Sequence, residues 1–184
     1  MEVHNGDPRK VTISKDTHSV QFTGTATVSA RGAVAPPASK VWYEVKCTAH
    51  CSSWIRVGWA TSDLPTSKSI KGVGSDVHVY AFNPIAGCKC HNGTGSTWGR
   101  KLTGGNGVVG VALDLVKGEI LFSVDGQWTL PMNVAFSGVP TDIKLFPAFS
   151  GGDDRTYLQY NLGGRDFTFG SLDSTFVKLL DVVQ

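Results

Sequence analysis

Two short segments of the sequence carry the residue types that most often bind metals. Their cysteines and histidines are Cys47, His50, Cys51, Cys88, Cys90 and His91. Thiolates and imidazoles are ligands that Zn²⁺ prefers, but the cysteine spacings differ from those of the usual zinc motifs. On a strand, Cys88 and Cys90 would face the same side, which fits both chelation and plain packing. A metal site and a disulfide stay open, and we expect reduced thiols, no metal and no cofactor.

Catalytic patterns are absent from the sequence. No serine lies in the G-x-S-x-G turn that exposes a nucleophile, and the adjacent His50 and Cys51 do not make a base–nucleophile pair in a sheet protein. The glycine-rich stretch at 104–107 lacks the helix and the Lys-Ser/Thr pair of a phosphate-binding loop. We therefore expect no enzymatic activity.

Charge and hydropathy limit the class of partner. The formal net charge is +2 and the basic residues are scattered, which does not favour nucleic acid. No apolar run approaches the roughly 20 residues of a membrane span, and the N-terminal residues lack the apolar core of a signal peptide. An Asn-Gly-Thr glycosylation sequon begins at Asn92, but it matters only in a secreted protein. We expect a cytoplasmic protein.

Short β-branched and aromatic runs recur along the chain, separated by Gly, Pro, Asn and Asp. They predict strands at 11–14, 20–23, 26–30, 41–47, 54–60, 78–82, 107–115, 119–124, 145–150, 156–161 and 166–169. Many short strands at regular spacing are typical of an all-β, two-sheet antiparallel sandwich. We expect one domain over 1–170, and a weakly helical C-terminal tail at 171–184 that packs on it.

The turn residues predict one hairpin, and the alternation of side chains along the strands predicts the core. Asp125-Gly126 suits a type I′ turn, whose two central residues need positive φ. The side chains that we expect to be mostly buried are Trp42, Val57, Trp59, Val111, Leu113, Phe122 and Phe146. Long loops are expected at 31–40, 61–76 and 93–106, and loops of this length are often functional.

Several motifs together resemble the SPRY domain family. They follow one another in the order KVWYEVKC, WIRVGWA, VYAFNP, CHNGTGSTWG, GNGVVGVALDLVKGEILFSVDGQ, FPAFS and YNLGG, and the resemblance as a whole covers 21–164. The later stretch LGGRDFTFG is similar to ryanodine-receptor SPRY domains. The resemblance implies a concanavalin-like sandwich that acts as a protein-interaction module within a larger protein, such as a ubiquitin-ligase adaptor, a scaffold or an ion channel.

The resemblance also implies a binding surface made by loops at one end of the sandwich. The residues expected to contact a protein or peptide partner are Arg31, Pro36, Pro37, Ser53, Lys71, Trp98, Asp153, Asp154 and Arg155. Where adaptors that bind an Asn-rich motif carry an apolar residue and Trp-Gly, this chain has Gly-Gly-Asp-Asp, which favours a basic partner. Trp98 could equally have a structural role. We expect a monomer that binds neither nucleic acid nor membrane.

Two other functions stay open. Lectins share this general architecture, and Trp, His and Asn side chains on a concave sheet could bind sugar. The chain could also be a structural domain that is docked inside a large assembly such as an ion channel.

Overall fold

The computed structural model describes residues 1–6, 8–48, 51, 53–64, 73–152 and 156–182, with the backbone alone at 2–6. Its strands are β1 (Glu2–Gly6), β2 (Val11–Ser14), β3 (Ser19–Phe22), β4 (Ala26–Ser29), β5 (Lys40–Cys47), β6 (Arg56–Thr61), β7 (Val79–Asn83), β8 (Cys88–His91), β9 (Thr94–Thr97), β10 (Gly107–Asp114), β11 (Glu119–Val124), β12 (Asn133–Ser137), β13 (Leu145–Gly151), β14 (Thr156–Asn161) and β15 (Val177–Lys178). Short 3-10 turns lie at Pro8–Lys10, Thr103–Gly105 and Leu179–Asp181. None of the helices in these described ranges is long and apolar enough to cross a bilayer.

The strands form two sheets. The first sheet has the order β1-β4-β13-β6-β7-β8-β9, and the second has the order β12-β11-β10-β5-β14-β3-β2. Neighbours in both orders pair antiparallel. Among the described strands, β15 alone pairs in parallel, with Val41 and Trp42 of β5. The predicted all-β, two-sheet antiparallel sandwich is therefore confirmed.

The main hydrophobic core lies between the sheets. Alternate residues of facing strands meet there, including Tyr43, Trp59, Phe122 and Phe149. All seven predicted core residues are buried, and the most exposed of them, Trp42, has 4% of its surface accessible. Trp42 and Phe146 nevertheless belong to two smaller clusters outside this core.

The two smaller clusters cover the outer faces of the sheets. On the first sheet, Leu64 and Val73 from the long 62–78 connection pack on Phe146 and its neighbours. On the second sheet, Phe167 and Phe176 from the C-terminal part pack on a cluster that contains Trp42. The connections thus bury apolar side chains that a bare sandwich would expose to water.

The C-terminal part differs from its predicted structure. Residues 166–169 form no strand, because the backbone N–H groups of Thr168 and Phe169 donate to the Glu44 carboxylate instead of to a neighbouring strand. The weakly helical tail contains no α-helix over its described residues, which end at 182. It pairs with β5 through Val177 and Lys178, and it buries Phe176 and Leu179.

Candidate functional site

The strand directions divide the loops between two ends of the sandwich, which we name the Lys40 end and the Cys47 end after the two ends of β5. Strands β4 and β6 both pair antiparallel with β13, so they run parallel to each other. Arg31 follows the end of β4, whereas Ser53 precedes the start of β6. The two residues therefore lie at opposite ends.

Arg31, Pro36 and Pro37 lie in the loop at the Lys40 end. The Arg31 guanidinium donates to the Leu64 carbonyl over 3.0 Å, and it lies 5.4 Å from the centre of the Phe146 ring. The Pro36 carbonyl accepts a 2.6 Å hydrogen bond from the Ser39 hydroxyl. Through these contacts Arg31 links its own loop to the connection that contains Leu64. Pro37 is exposed.

Ser53 and Trp54 lie at the Cys47 end, immediately before β6. The Ser53 carbonyl accepts a 2.7 Å hydrogen bond from the Asn83 side-chain amide, which fixes the backbone there. The Trp54 side chain is 58% exposed. It lies against Gly152, where an added Cβ would come within 2.6 Å of the Trp54 Cβ. Only a glycine lets the two segments approach so closely.

Four of the predicted contact residues, Lys71, Asp153, Asp154 and Arg155, lie outside the described residues, and the last three form the acidic turn. Gly152 and Thr156 flank the turn, and both are described. Gly151 pairs with Ala26, and Thr156 pairs with Phe22, at the Cys47 ends of the two sheets. Both flanking residues therefore lie at the same end as Trp54.

Trp98 also lies toward the Cys47 end, but it is half-buried. Its ring makes edge-on contacts with Phe82 and Phe122, at centroid distances of 5.5 and 6.0 Å. These contacts make Trp98 a part of the core rim, which agrees with the structural role considered for it. Nearby, Arg100 forms a 3.3 Å ion pair with Asp125.

A polar cleft of about 240 Å³ opens on the outer face of the second sheet, beside Glu44. Burial raises the pKa of Glu44, and the hydrogen bonds from Thr168 and Phe169 oppose that rise. The other lining side chains include Lys46, Gln159 and Asn161. The cleft combines charges of both signs with amides, and its carboxylate is already satisfied by backbone donors.

The cysteines form two separate pairs. Cys47 and Cys51 belong to the core between the sheets, whereas Cys90 lies in the cluster on the outer face of the first sheet, with Cys88 packed against it. None of the four forms a disulfide. Over the described part of the chain, no three His, Cys, Asp or Glu side chains are grouped closely enough to hold a metal ion.

Sequence reasoning missed Trp54 as a surface residue because it was assigned to the predicted strand 54–60. The alternation of side chains in that segment could have indicated that Trp54 is exposed. Ile55, Val57 and Trp59 alternate and are all buried, so Trp54 belongs to the opposite side.

A scan against protein families matches the model described as SPRY domain to residues 40–165, more than half of the chain. No curated protein matches the sequence. The matched range runs from the start of β5 through β14 and so includes strands of both sheets together with both ends of the sandwich. The chain belongs to the SPRY domain family.

Proposed function

We propose that this chain is a protein- or peptide-binding module without catalytic activity, and that its partner binds at the Cys47 end. SPRY domains are in general protein-interaction modules. The observation that carries the proposed location is Trp54, a large aromatic side chain that is 58% exposed and lies two residues before the buried strand β6.

Trp54 has the properties of a binding anchor. Tryptophan is enriched among the few interface residues that supply most of the binding energy. Its backbone is held on one side by β6 and on the other by the bond between Ser53 and Asn83. Such an anchor loses little conformational entropy when a partner binds, because its backbone is already ordered.

The acidic turn gives the surface its charge preference. Asp153 and Asp154 continue directly from Gly152, the residue that Trp54 contacts. We infer that they pair with Lys or Arg of a basic partner. Exposed pairs of this kind each contribute about 0–1 kcal/mol, and they act mainly on specificity and association rate.

The other predicted contact residues fall into two groups, according to the end of the sandwich at which they lie. Ser53 and Arg155 belong to the proposed surface, and Lys71 stays a prediction. Arg31, Pro36 and Pro37 lie at the Lys40 end, too far around the sandwich to join the same patch. We assign Arg31 to loop packing, because its guanidinium is engaged by Leu64 and Phe146.

The alternative of sugar binding is less well supported. Lectin sites commonly stack a sugar on an exposed aromatic ring. On the outer face of the second sheet, Trp42 and Trp128 are 4% and 6% exposed, and they lie with Phe176 in one cluster that Phe167 packs against. Docking of the domain inside a large assembly, the other alternative, would show as no affinity for any free peptide. The absence of disulfides among the cysteines fits the cytoplasmic location that we propose.

The test uses peptides selected from a displayed random library on the folded domain. The tightest peptide is titrated into isotopically labelled protein, and the backbone amide shifts are followed. We expect the largest changes at Trp54, at Gly152 and in the turn that follows it. Changes confined to the Lys40 end, around Val116 and Lys117, would contradict the proposed surface.

A further inference from the structure

Cys88 and Cys90 present two thiols on one face of strand β8. Their sulfurs are 3.7 Å apart. The pairing partners of Cys88 and Cys90 in β7 are Asn83 and Ala81, and Cys90 and Ala81 lie in the cluster on the outer face of the first sheet. The pair therefore lies outside the main core, on the outer face of the first sheet.

The strand beyond this pair places no side chain over the sulfurs, although Cys90 is 4% exposed and Cys88 is half-buried. Gly95 of β9 is the register partner of Cys90. A Cβ added at Gly95 would lie 3.8 Å from the Cys90 sulfur and 4.0 Å from the Cys88 sulfur. The missing side chain thus leaves space directly over both sulfurs. All four residues of β9 are exposed, so this space adjoins solvent.

A cationic side chain lies near the same pair. The charge of Arg56 acts on Cys90 and favours its thiolate, against the larger effect of burial. One Arg56 terminal nitrogen donates to the Val73 carbonyl over 2.9 Å. The Arg56 Nε atom is buried and makes no hydrogen bond to any described residue. An unsatisfied buried donor on the side chain whose charge acts on Cys90 is a feature that an anionic metal–thiolate group would relieve.

We propose that Cys88 and Cys90 together form a two-thiolate site for a soft monovalent metal ion, Cu(I). Thiolates are soft ligands that select Cu(I), and this ion accepts low coordination numbers. Two sulfurs 3.7 Å apart can both reach one ion at metal–sulfur bonds of about 2.3 Å, because half of their separation is shorter than the bond.

The small number of ligands disfavours zinc. A structural Zn²⁺ site takes four protein ligands, and within the described ranges no third Cys, His, Asp or Glu joins this pair. His91 lies next in sequence, but its Nδ1 is 2.9 Å from the Val79 carbonyl and its ring stacks on Tyr80. We therefore expect purified protein to carry no stoichiometric zinc.

The charge balance of the site is simple. Both thiols lose a proton to solvent when one Cu(I) ion forms two copper–sulfur bonds. The product carries one net negative charge, and the guanidinium of Arg56 offsets it. No electron is transferred, provided that the copper is supplied in its reduced state.

The test is a titration of the reduced protein with Cu(I) under argon, in competition with the chromogenic chelator bathocuproine disulfonate. We expect about one tightly held copper per chain, with sulfur neighbours in its X-ray absorption spectrum. Cys88→Ser and Cys90→Ser should each abolish this retention. The matched controls are Cys47→Ser and Cys51→Ser, which should bind copper as tightly as the wild-type protein does.

A second variant keeps both thiols. Gly95→Val places methyl groups over the sulfurs, and it should lower retention even though the thiol count in denaturant is unchanged. Ser96→Val, the next position on β9, should have no effect. Thermal unfolding of each variant checks that it is folded. Three results would each overturn the proposal. The first is that the wild-type protein fails to hold copper against the chelator, and the second is that both Cys88→Ser and Cys90→Ser retain copper. The third is that Gly95→Val binds copper as well as the wild-type protein.

Discussion

The Glu44 carboxylate and the backbone N–H of Phe169 form a 2.8 Å hydrogen bond between the centre of the second sheet and the C-terminal part of the chain. The other carboxylate oxygen accepts from the N–H of Thr168 over 2.7 Å. Glu44 is 3% exposed, and burial of a carboxylate is tolerable only where its oxygens have partners. Phe167, the residue before Thr168, packs against Trp42 at a centroid distance of 4.0 Å, with the two ring planes tilted by 40°. The polar and apolar contacts together fix this segment on the sheet.

Glu44→Ala should loosen the C-terminal part of the chain. The change leaves two backbone N–H groups without an acceptor, at a cost of about 1–3 kcal/mol in the free energy of unfolding. Glu44→Gln should cost less, because its carbonyl oxygen still accepts one of the two bonds. Urea unfolding measures the loss. Amide hydrogen exchange at Thr168 and Phe169 should be faster in Glu44→Ala, and unchanged exchange there would contradict the role of Glu44.

We expect the Cys90 thiol to react slowly with alkylating reagents at neutral pH. Burial raises its pKa to about 11, with the charge of Arg56 acting in the opposite direction. Alkylation by iodoacetamide, followed by mass spectrometry, should therefore stay slow at Cys90 up to about pH 9 and accelerate toward pH 11. A Cys90 rate that is already maximal at pH 8 would contradict this burial.

The same shift has a consequence for stability. The folded-state pKa of Cys90 lies above its unfolded value of 9.0, so the fold favours the neutral thiol. Its stabilising contribution is fully present below the unfolded pKa and is lost as the pH rises through the folded pKa. The difference in unfolding free energy between the unchanged protein and Cys90→Ala should therefore shrink between about pH 9 and 11.

Phe122→Ala should be strongly destabilising. The Phe122 ring is fully buried and contacts the rings of Phe82 and Trp98. Truncation of such a ring costs about 3–5 kcal/mol, through lost transfer energy and the cavity that remains. Val116→Ala, at a site that is 61% exposed, is the control and should change the free energy of unfolding little. Similar losses for the two variants would contradict the core assignment.

The fold was predictable where side chains alternate strongly. Strands β10 and β11 match their predicted ranges within one residue, and Asp125 and Gly126 have the expected positive φ of 50° and 76°. Strand β9 was missed, because its Thr, Gly and Ser residues are all exposed and carry no hydrophobic period. Its structure depends on pairing with β8, which is a tertiary effect that propensity does not contain.

The candidate surface was predictable only in part. Sequence motifs correctly indicated that loops flank the strands, but they did not give the relative direction of β4 and β6. That direction separates Arg31 from Ser53, because both strands pair with β13 and run parallel. The contact between Trp54 and Gly152 joins segments almost a hundred residues apart, and no local pattern encodes such an approach.

The acidic turn should make binding dependent on salt. The selected peptide is expected to be basic, and its affinity should fall as added salt screens the charges of Asp153 and Asp154. Asp153→Ala/Asp154→Ala should flatten this dependence more than it lowers the affinity at high salt. Lys117→Ala, in the turn at the Lys40 end, is the charge-changing control. If the double aspartate variant keeps the full salt dependence, the proposed charge preference is wrong.

The most direct test of the proposed interaction surface is the affinity of the selected peptide for Trp54→Ala, measured by isothermal titration calorimetry beside Val116→Ala. Both positions are exposed, at 58% and 61%, but they lie at opposite ends of the sandwich. An anchor tryptophan contributes about 2 kcal/mol or more, so Trp54→Ala should weaken binding by at least roughly 30-fold. Val116→Ala should leave the affinity unchanged. Full affinity in Trp54→Ala, together with loss in Val116→Ala, would contradict a binding surface at the Cys47 end.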